Sequence, residues 1–224
     1  MNFHYPQINN SKKPRDGINL SNYLYTNQIN TPFGNLSLKY LHVIMRVDWI
    51  NVKIKSLFDS FYQTRQGFSG ISTSGFEELE HQLITEELMY WLRKIADELI
   101  SLTYIQYTDP TGLTINKLKF DRIGAILQEP SHSFSQFFKD HLPILEKLNE
   151  VSNIYKHSFI NTAHGQISEL EPTIIAFNLK RNDLKNAPEY YTQTLRIFIE
   201  NYNKFYIDIT ARLKNNTYSN YQIR

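Results

Sequence analysis

Four long segments of the chain carry apolar residues at steps of three and four, and this spacing constrains the fold more than any other feature. Such spacing places the apolar side chains on one face of a helix. A Ser74/Glu77 capping box marks the start of the second segment, and Pro143 marks a start or kink in the third. We therefore expect long helices over about 36–62, 75–107, 134–159 and 188–213, and a short helix over 116–128.

The pattern changes between the third and the last long helix. Residues 173–179 (Thr-Ile-Ile-Ala-Phe-Asn-Leu) are rich in β-branched and aromatic side chains, which is typical of a strand. We expect this strand to form a hairpin with 166–168, followed by a polar loop over 181–186. The fold class expected is all-α: a helical bundle of four long helices with one or two short helices and a small β-hairpin insertion before the last helix.

A chain of 224 residues suits one domain with extensions. Residues 36–214 are expected to form that single helical domain, with the β insertion at about 164–180, and residues 215–224 a polar tail. Residues 1–35 are rich in turn-forming side chains, which indicates an irregular arm. The arm either lies on the domain or is a disordered leader, and the sequence leaves both open.

Composition excludes several classes of site. With no cysteine, the chain has no disulfide, no thiolate metal site and no thiol nucleophile. The net charge of +2 gives no overall cationic field. The uncharged stretch 17–38 is interrupted by Asn, Ser, Thr, Gln and Pro, so it does not resemble a membrane span. We expect a cytoplasmic protein without a membrane association or a cofactor.

Sequence motifs for phosphate loops, dinucleotide binding, serine hydrolases and zinc proteases are missing from the sequence. One Glu-x-x-His pair, Glu78 and His81, is present. A di-iron bundle needs two such pairs on different helices, so we interpret this one as a local pair on one helix face and expect no metal site. A metal-dependent helical oxidoreductase is the weaker alternative.

A ladder of polar side chains lies at the end of the third long helix. Asn149, Asn153 and His157 fall at steps of four and share a face. Asn forms helix less well than Lys or Glu, so amides here suggest a role in hydrogen bonding. His157, Asn153 and Lys156 are the candidate catalytic residues. Asn149, Ser152 and Ser158 are the candidate binding or interface residues.

Two structural readings compete with a functional one. His157 would cap the helix C-terminus, where a cation is favourable, with Asn161 ending the turn. Alternatively, the ladder would hydrogen-bond the β segment that follows. A structure decides between these by showing whether His157 lies in a cleft near Arg46, Glu78 or Arg93.

The stretch Ser152-Asn-Ile-Tyr-Lys-His157 resembles the motif of the HEPN superfamily (higher eukaryotes and prokaryotes nucleotide-binding). That motif is an Arg, a polar residue, a few more residues and a His. Asn153 and His157 match it, whereas Ser152 stands where Arg is expected and Lys156 supplies a nearby charge. The resemblance implies an all-α, usually dimeric protein, often a metal-independent ribonuclease of toxin–antitoxin or phage-defence systems.

Because the Arg of that motif is thought to bind the scissile phosphate, its replacement by Ser152 implies a non-catalytic or degenerate member. We expect it to act in a bacterial defence or regulatory assembly, with RNA as a ligand and a homodimer formed through the face of Asn149, Asn153 and His157. If the chain is active, His157 acts as acid or base, and Asn153 and Lys156 orient phosphate. The alternative is a protein–protein interaction module that uses arm 1–35, strand 173–179 and the last helix.

Overall fold

The computed structural model describes residues 5–8, 31–67, 75–109, 111, 113–157, 170–179, 182–183 and 185–215, without the side chains of 65–67 and 75–78. The elements, in chain order, are α1 (Leu36–Gly67), α2 (Gly75–Thr108), α3 (Ile123–Gln128), a 3₁₀ helix (Ser135–His141), α4 (Leu142–His157), β1 (Thr173–Asn178), β2 (Glu189–Thr194) and α5 (Leu195–Lys214).

The fold class predicted from the sequence is confirmed. Four long helices, α1, α2, α4 and α5, form the molecule together with short helical pieces and one hairpin before α5. α1 and α2 run antiparallel, since Arg46 pairs with Glu98 at one end while Ser60 meets His81 at the other. The other face of α2 contacts α4 and α5. In the described part of the chain, every helix is too short or too polar to cross a membrane.

Among the described residues, β1 pairs with a segment that was not predicted from the sequence to be a strand. β1 pairs antiparallel with β2, from Thr173 opposite Thr194 to Asn178 opposite Glu189, whereas the expected partner, 166–168, lies outside the described residues. The last helix therefore begins at Leu195 instead of near Pro188, and the hairpin extends past the expected insertion, 164–180. The physical reason is local: residues 189–194 (Glu-Tyr-Tyr-Thr-Gln-Thr) are aromatic and β-branched, and such residues favour strands.

Two other boundaries differ from the expected ones. The short helix begins at Ile123 instead of 116. Oδ1 of Asp97 on α2 accepts a hydrogen bond from the Ile123 N–H (2.8 Å), and this gives one of the free N–H groups in the first turn of α3 a partner. The third long segment is divided into the 3₁₀ helix and α4 at Leu142, next to Pro143. Ser74 and the tail 216–224 lie outside the described residues.

All four long helices contribute buried apolar side chains to one cluster, which β1 joins through Ile174 and Ala176. The cluster also includes Ile8 of the N-terminal segment, whose side chain is fully buried. The side-chain amide of Asn51 on α1 bonds both the N–H and the C=O of Ile8, each at 2.9 Å. Residues 5–8 thus lie against α1. Among the aromatic residues of the arm, 1–35, Phe33 packs on the core. Tyr23 and Tyr25 lie outside the described residues.

Candidate functional site

The polar ladder lies along one side of α4. The helix buries Leu145, Leu148 and Val151 in the core, which leaves Asn149 and Asn153 partly exposed and His157 exposed at the C-terminus. The period of 3.6 residues explains this separation of faces. The polar side chains of these three residues therefore lie along one side of α4, next to its buried face.

The ladder forms one wall of a groove of about 450 Å³. The opposite wall is the end of β1 and the chain just after it, so the groove exists only because the hairpin folds back beside α4. Amides line both walls. The lining residues are Asn149, Glu150, Asn153, Ile154, His157, Asn178, Leu179 and Asn182.

Asn182 fixes the end of the groove. Its φ of +52° is left-handed, a conformation that Asn adopts more readily than most residues. Its side-chain Nδ2 donates to the backbone oxygen of His157 at 3.0 Å, and this satisfies one of the free carbonyl groups at the end of α4. The cap of α4 is thus a side chain from the opposite wall, and the imidazole of His157 lines the groove.

A guanidinium from α2 supports the ladder from behind. Arg93 donates through Nη1 to Asn153 Oδ1 and to Ser152 Oγ, the latter at 3.1 Å. Its Nε lies 4.0 Å from a carboxylate oxygen of Asp97. Only 16% of the Arg93 side chain is exposed, so a partly desolvated cation lies beside a residue of the groove. The second cation considered from the sequence, Arg46, instead binds Glu98.

The other predicted site residues lie in different places. Ser152 is buried, donates to the oxygen of Leu148 and faces α2 instead of the groove. Lys156 is exposed, and its Nζ lies 5.5 Å from the centroid of the Tyr90 ring, a distance at which a cation and an aromatic ring attract. Ser158 lies outside the described residues.

Two partly buried phenols lie near the groove, and one of them bonds α4 to the hairpin. Tyr155 of α4 donates to the oxygen of Ile175 on β1 at 3.2 Å, and burial is the main cause that raises the pKa of Tyr155. On β2, burial raises the pKa of Tyr191 to about 12, and nearby Glu150 contributes to the shift. Both groups stay neutral hydrogen-bonding phenols at physiological pH, so they act as supports of the walls.

The Glu-x-x-His pair does not assemble a ligand set among the described residues. His81 is buried, with Nε2 3.1 Å from Ser60 Oγ and its ring next to Phe61, whereas the Glu78 side chain lies outside the described residues. In the described part of the chain, no group of three or more His, Asp or Glu side chains is placed to hold a metal ion.

The structure thus brings Asn149, Asn153 and His157 together in one groove. Sequence reasoning missed the opposite wall, Asn178 and Asn182. The available signal was a second group of Asn residues at the end of the predicted strand and in the polar loop after it, but periodicity within α4 cannot indicate which segment returns to it. Comparison of the chain with models of protein families, with curated proteins and with solved structures finds no match.

Proposed function

We propose that the chain is a HEPN-like, RNA-binding helical protein that holds single-stranded RNA in the α4 groove and acts in a bacterial defence or regulatory assembly without cleaving the RNA. The observation that carries this proposal is the contact of Arg93 with Ser152 and Asn153. The motif has Ser152 where Arg is expected, and a guanidinium from α2 reaches that position.

The groove suits a polar ligand of mixed donors and acceptors. Asn side chains offer both, and the imidazole of His157 offers one of each when neutral. Proteins read single-stranded RNA largely by hydrogen bonds to the edges of unstacked bases. The contacts of Arg93 with Ser152 and Asn153 use Nη1, and its Nε lies 4.0 Å from Asp97, so this cation orients the Asn153 amide toward a ligand from behind the groove.

Catalysis is not part of the proposal. His157 is the only imidazole among the described residues that line the groove. We therefore expect the chain to bind RNA without cleaving it. The experiment must exclude metal-independent cleavage by His157.

The test is fluorescence anisotropy with a labelled single-stranded RNA of mixed sequence, in EDTA, followed by gel analysis of the same RNA. We expect binding that weakens about tenfold in Asn153→Ala, the equivalent of ~1.4 kcal/mol, and intact RNA throughout. His42→Ala, at an exposed position on α1, is the control and should bind as the wild type does. Absence of binding would refute the proposal, and cleavage lost in His157→Ala would make the chain a ribonuclease.

The second candidate is a protein–protein interaction module, favoured by the outer edge of β2, with which no other described strand pairs. The Leu195 N–H bonds the oxygen of Pro172 (2.8 Å), and this register directs the backbone groups of Tyr190, Thr192 and Thr194 away from β1. An open edge of this kind can accept another strand. Thr192→Pro removes one outward N–H, so it should abolish capture of a strand partner in a pull-down assay and leave RNA binding unchanged.

A further inference from the structure

The outward sides of α1 and α2 carry an apolar surface whose side chains stay about half exposed, although Lys53 and Lys156 lie over the rings of Trp49 and Tyr90. On α1 it contains Leu38, Met45, Trp49 and Val52, at steps of seven, four and three, and on α2 it contains Leu79, Leu83 and Tyr90, at steps of four and seven. We name these seven residues the outer face. Each is between 46 and 55% exposed.

The outer face is opposite the core. The buried positions of α1, such as Val43, Val47 and Ile54, alternate with the exposed apolar ones at helical spacing. Half-exposed side chains of this size present roughly 100 Å² each, so the face presents on the order of 700 Å², above the few hundred Å² usual for a monomer. A stable interface buries about 800 Å² on each partner, rim included.

The charges around the outer face differ at its two ends. On α1, residues 36–47 contain Lys39, His42 and Arg46 and no acidic residue. On α2, residues 79–92 contain Glu80, Glu86 and Glu87 and no Lys or Arg. Arg46 binds Glu98 and Glu87 binds Lys53 within the chain, so the difference between the two ends rests on Lys39 and Glu80, which are exposed. Because α1 and α2 are antiparallel, Lys39 and Glu80 lie at opposite ends of the same face.

We propose that the outer face is a homodimer interface in which the basic end of each copy covers the acidic end of the other. A two-fold axis through the middle of the face, near Trp49 and Tyr90, makes both contacts at once. The charge pattern is therefore complementary to itself, and this argues for a second copy as the occupant. The proposal does not depend on the ligand of the α4 groove.

The interface differs from the dimer face expected from the sequence, which was the face of Asn149, Asn153 and His157. That face is one wall of a concave groove lined by four Asn side chains, Glu150 and His157, and dimer interfaces have apolar centres.

The first test is sedimentation equilibrium of the full chain. We expect a dimer at about 100 μM and a dissociation constant raised at least 100-fold in Trp49→Glu. Leu113→Glu is the matched control, because Leu113 is exposed in the loop after α2, and it should dimerise as the wild type does. Circular dichroism spectra identical to that of the wild type confirm that each variant is folded.

The second test is a charge reversal. Lys39 and Glu80 lie about 30 Å apart in one chain, given 1.5 Å per residue along α1, so they can meet only across copies. Lys39→Glu and Glu80→Lys should each weaken dimerisation roughly fivefold, and the double variant should recover it. A monomeric wild type would overturn the proposal and assign the face to residues 9–30 or to another protein. A dimer insensitive to Trp49→Glu, or a double variant without recovery, would also overturn it.

Discussion

At the scale of single residues, the groove depends on polar side chains that each bond across two elements. Asn182 joins the loop after β1 to the end of α4, and Arg93 joins α2 to the middle of α4. The spacing of residues in the sequence cannot predict the partner of either side chain, because neither partner lies within one helical turn of it. Such groups set the shape of the groove more than its apolar neighbours do.

Asp97 gives a prediction about pH. Burial is the main cause that raises the pKa of Asp97, although the Ile123 N–H and Arg93 oppose it. A raised pKa means that the folded protein binds more protons than the unfolded chain between the usual value of 3.8 and the raised value. The free energy of unfolding therefore falls as pH rises through that window. Asp97→Asn has no such titration, so its stability relative to the wild type should increase with pH.

Urea denaturation followed by circular dichroism, repeated from about pH 4 to pH 8, measures this difference. Taking the difference cancels the titration of the other carboxylates, which both proteins share. Asp140→Asn, at an exposed position, serves as the control. A constant difference between Asp97→Asn and the wild type at all pH values would contradict the prediction.

At the scale of elements, the long helices were predictable because their signal is repeated and local. α1 and α2 each present many turns of one apolar stripe, and their observed starts, Leu36 and Gly75, agree with the sequence. β2 was not predicted, because Pro188 suggested a helix start and a six-residue strand has little periodicity. Its pairing with β1 depends on how the whole chain packs, and the spacing of residues within 189–194 does not specify it.

The candidate site was predictable only on the wall that a single helix builds. The ladder on α4 followed from steps of four, whereas Asn178 ends β1 and Asn182 lies in the loop after it, and the position of both depends on how the hairpin folds back. Arg93 is separated from Asn153 by 60 residues along the chain. Contacts of this range depend on how the helices pack, and no local pattern specifies them.

The N-terminal segment gives a prediction at this scale. Ile8 is fully buried and its backbone is bonded by Asn51, so residues 5–8 should behave as part of the folded domain. Ile8→Ala should lower the free energy of unfolding by about 2–4 kcal/mol, through lost burial and the cavity left behind.

The measurement is urea denaturation beside Gln7→Ala, the exposed neighbour, which should change stability by less than about 0.5 kcal/mol. Equal stability of the two variants would show that the segment adds nothing to the fold. Deletion of the whole arm is a poorer experiment for any binding function, because it removes a buried side chain at the same time.

At the scale of the whole molecule, the core is continuous. The buried cluster includes residues of α1, α2, α4, α5 and β1, and hydrogen bonds connect distant helices: the Tyr202 hydroxyl of α5 donates to the oxygen of Leu92 on α2 at 2.9 Å. A core of this kind gives cooperative unfolding, because no helix can leave without exposing the apolar side chains of its neighbours.

Phe205 tests that cooperativity. Its ring is fully buried on α5, beside Tyr202 and His141. Phe205→Ala should therefore lower the free energy of unfolding by about 3–5 kcal/mol. The two tryptophans lie on α1 and α2, far along the chain from this change. If the core is one unit, tryptophan fluorescence and far-ultraviolet circular dichroism should give the same lowered midpoint of urea denaturation. The protein concentration must be fixed, because dimerisation would stabilise the folded state.

The control is Ile207→Ala, at an exposed position on the same helix. By both probes its free energy of unfolding should stay within about 0.5 kcal/mol of the wild-type value. A fluorescence midpoint that stayed at the wild-type value in Phe205→Ala would mean that the α1–α2 pair unfolds independently of α5.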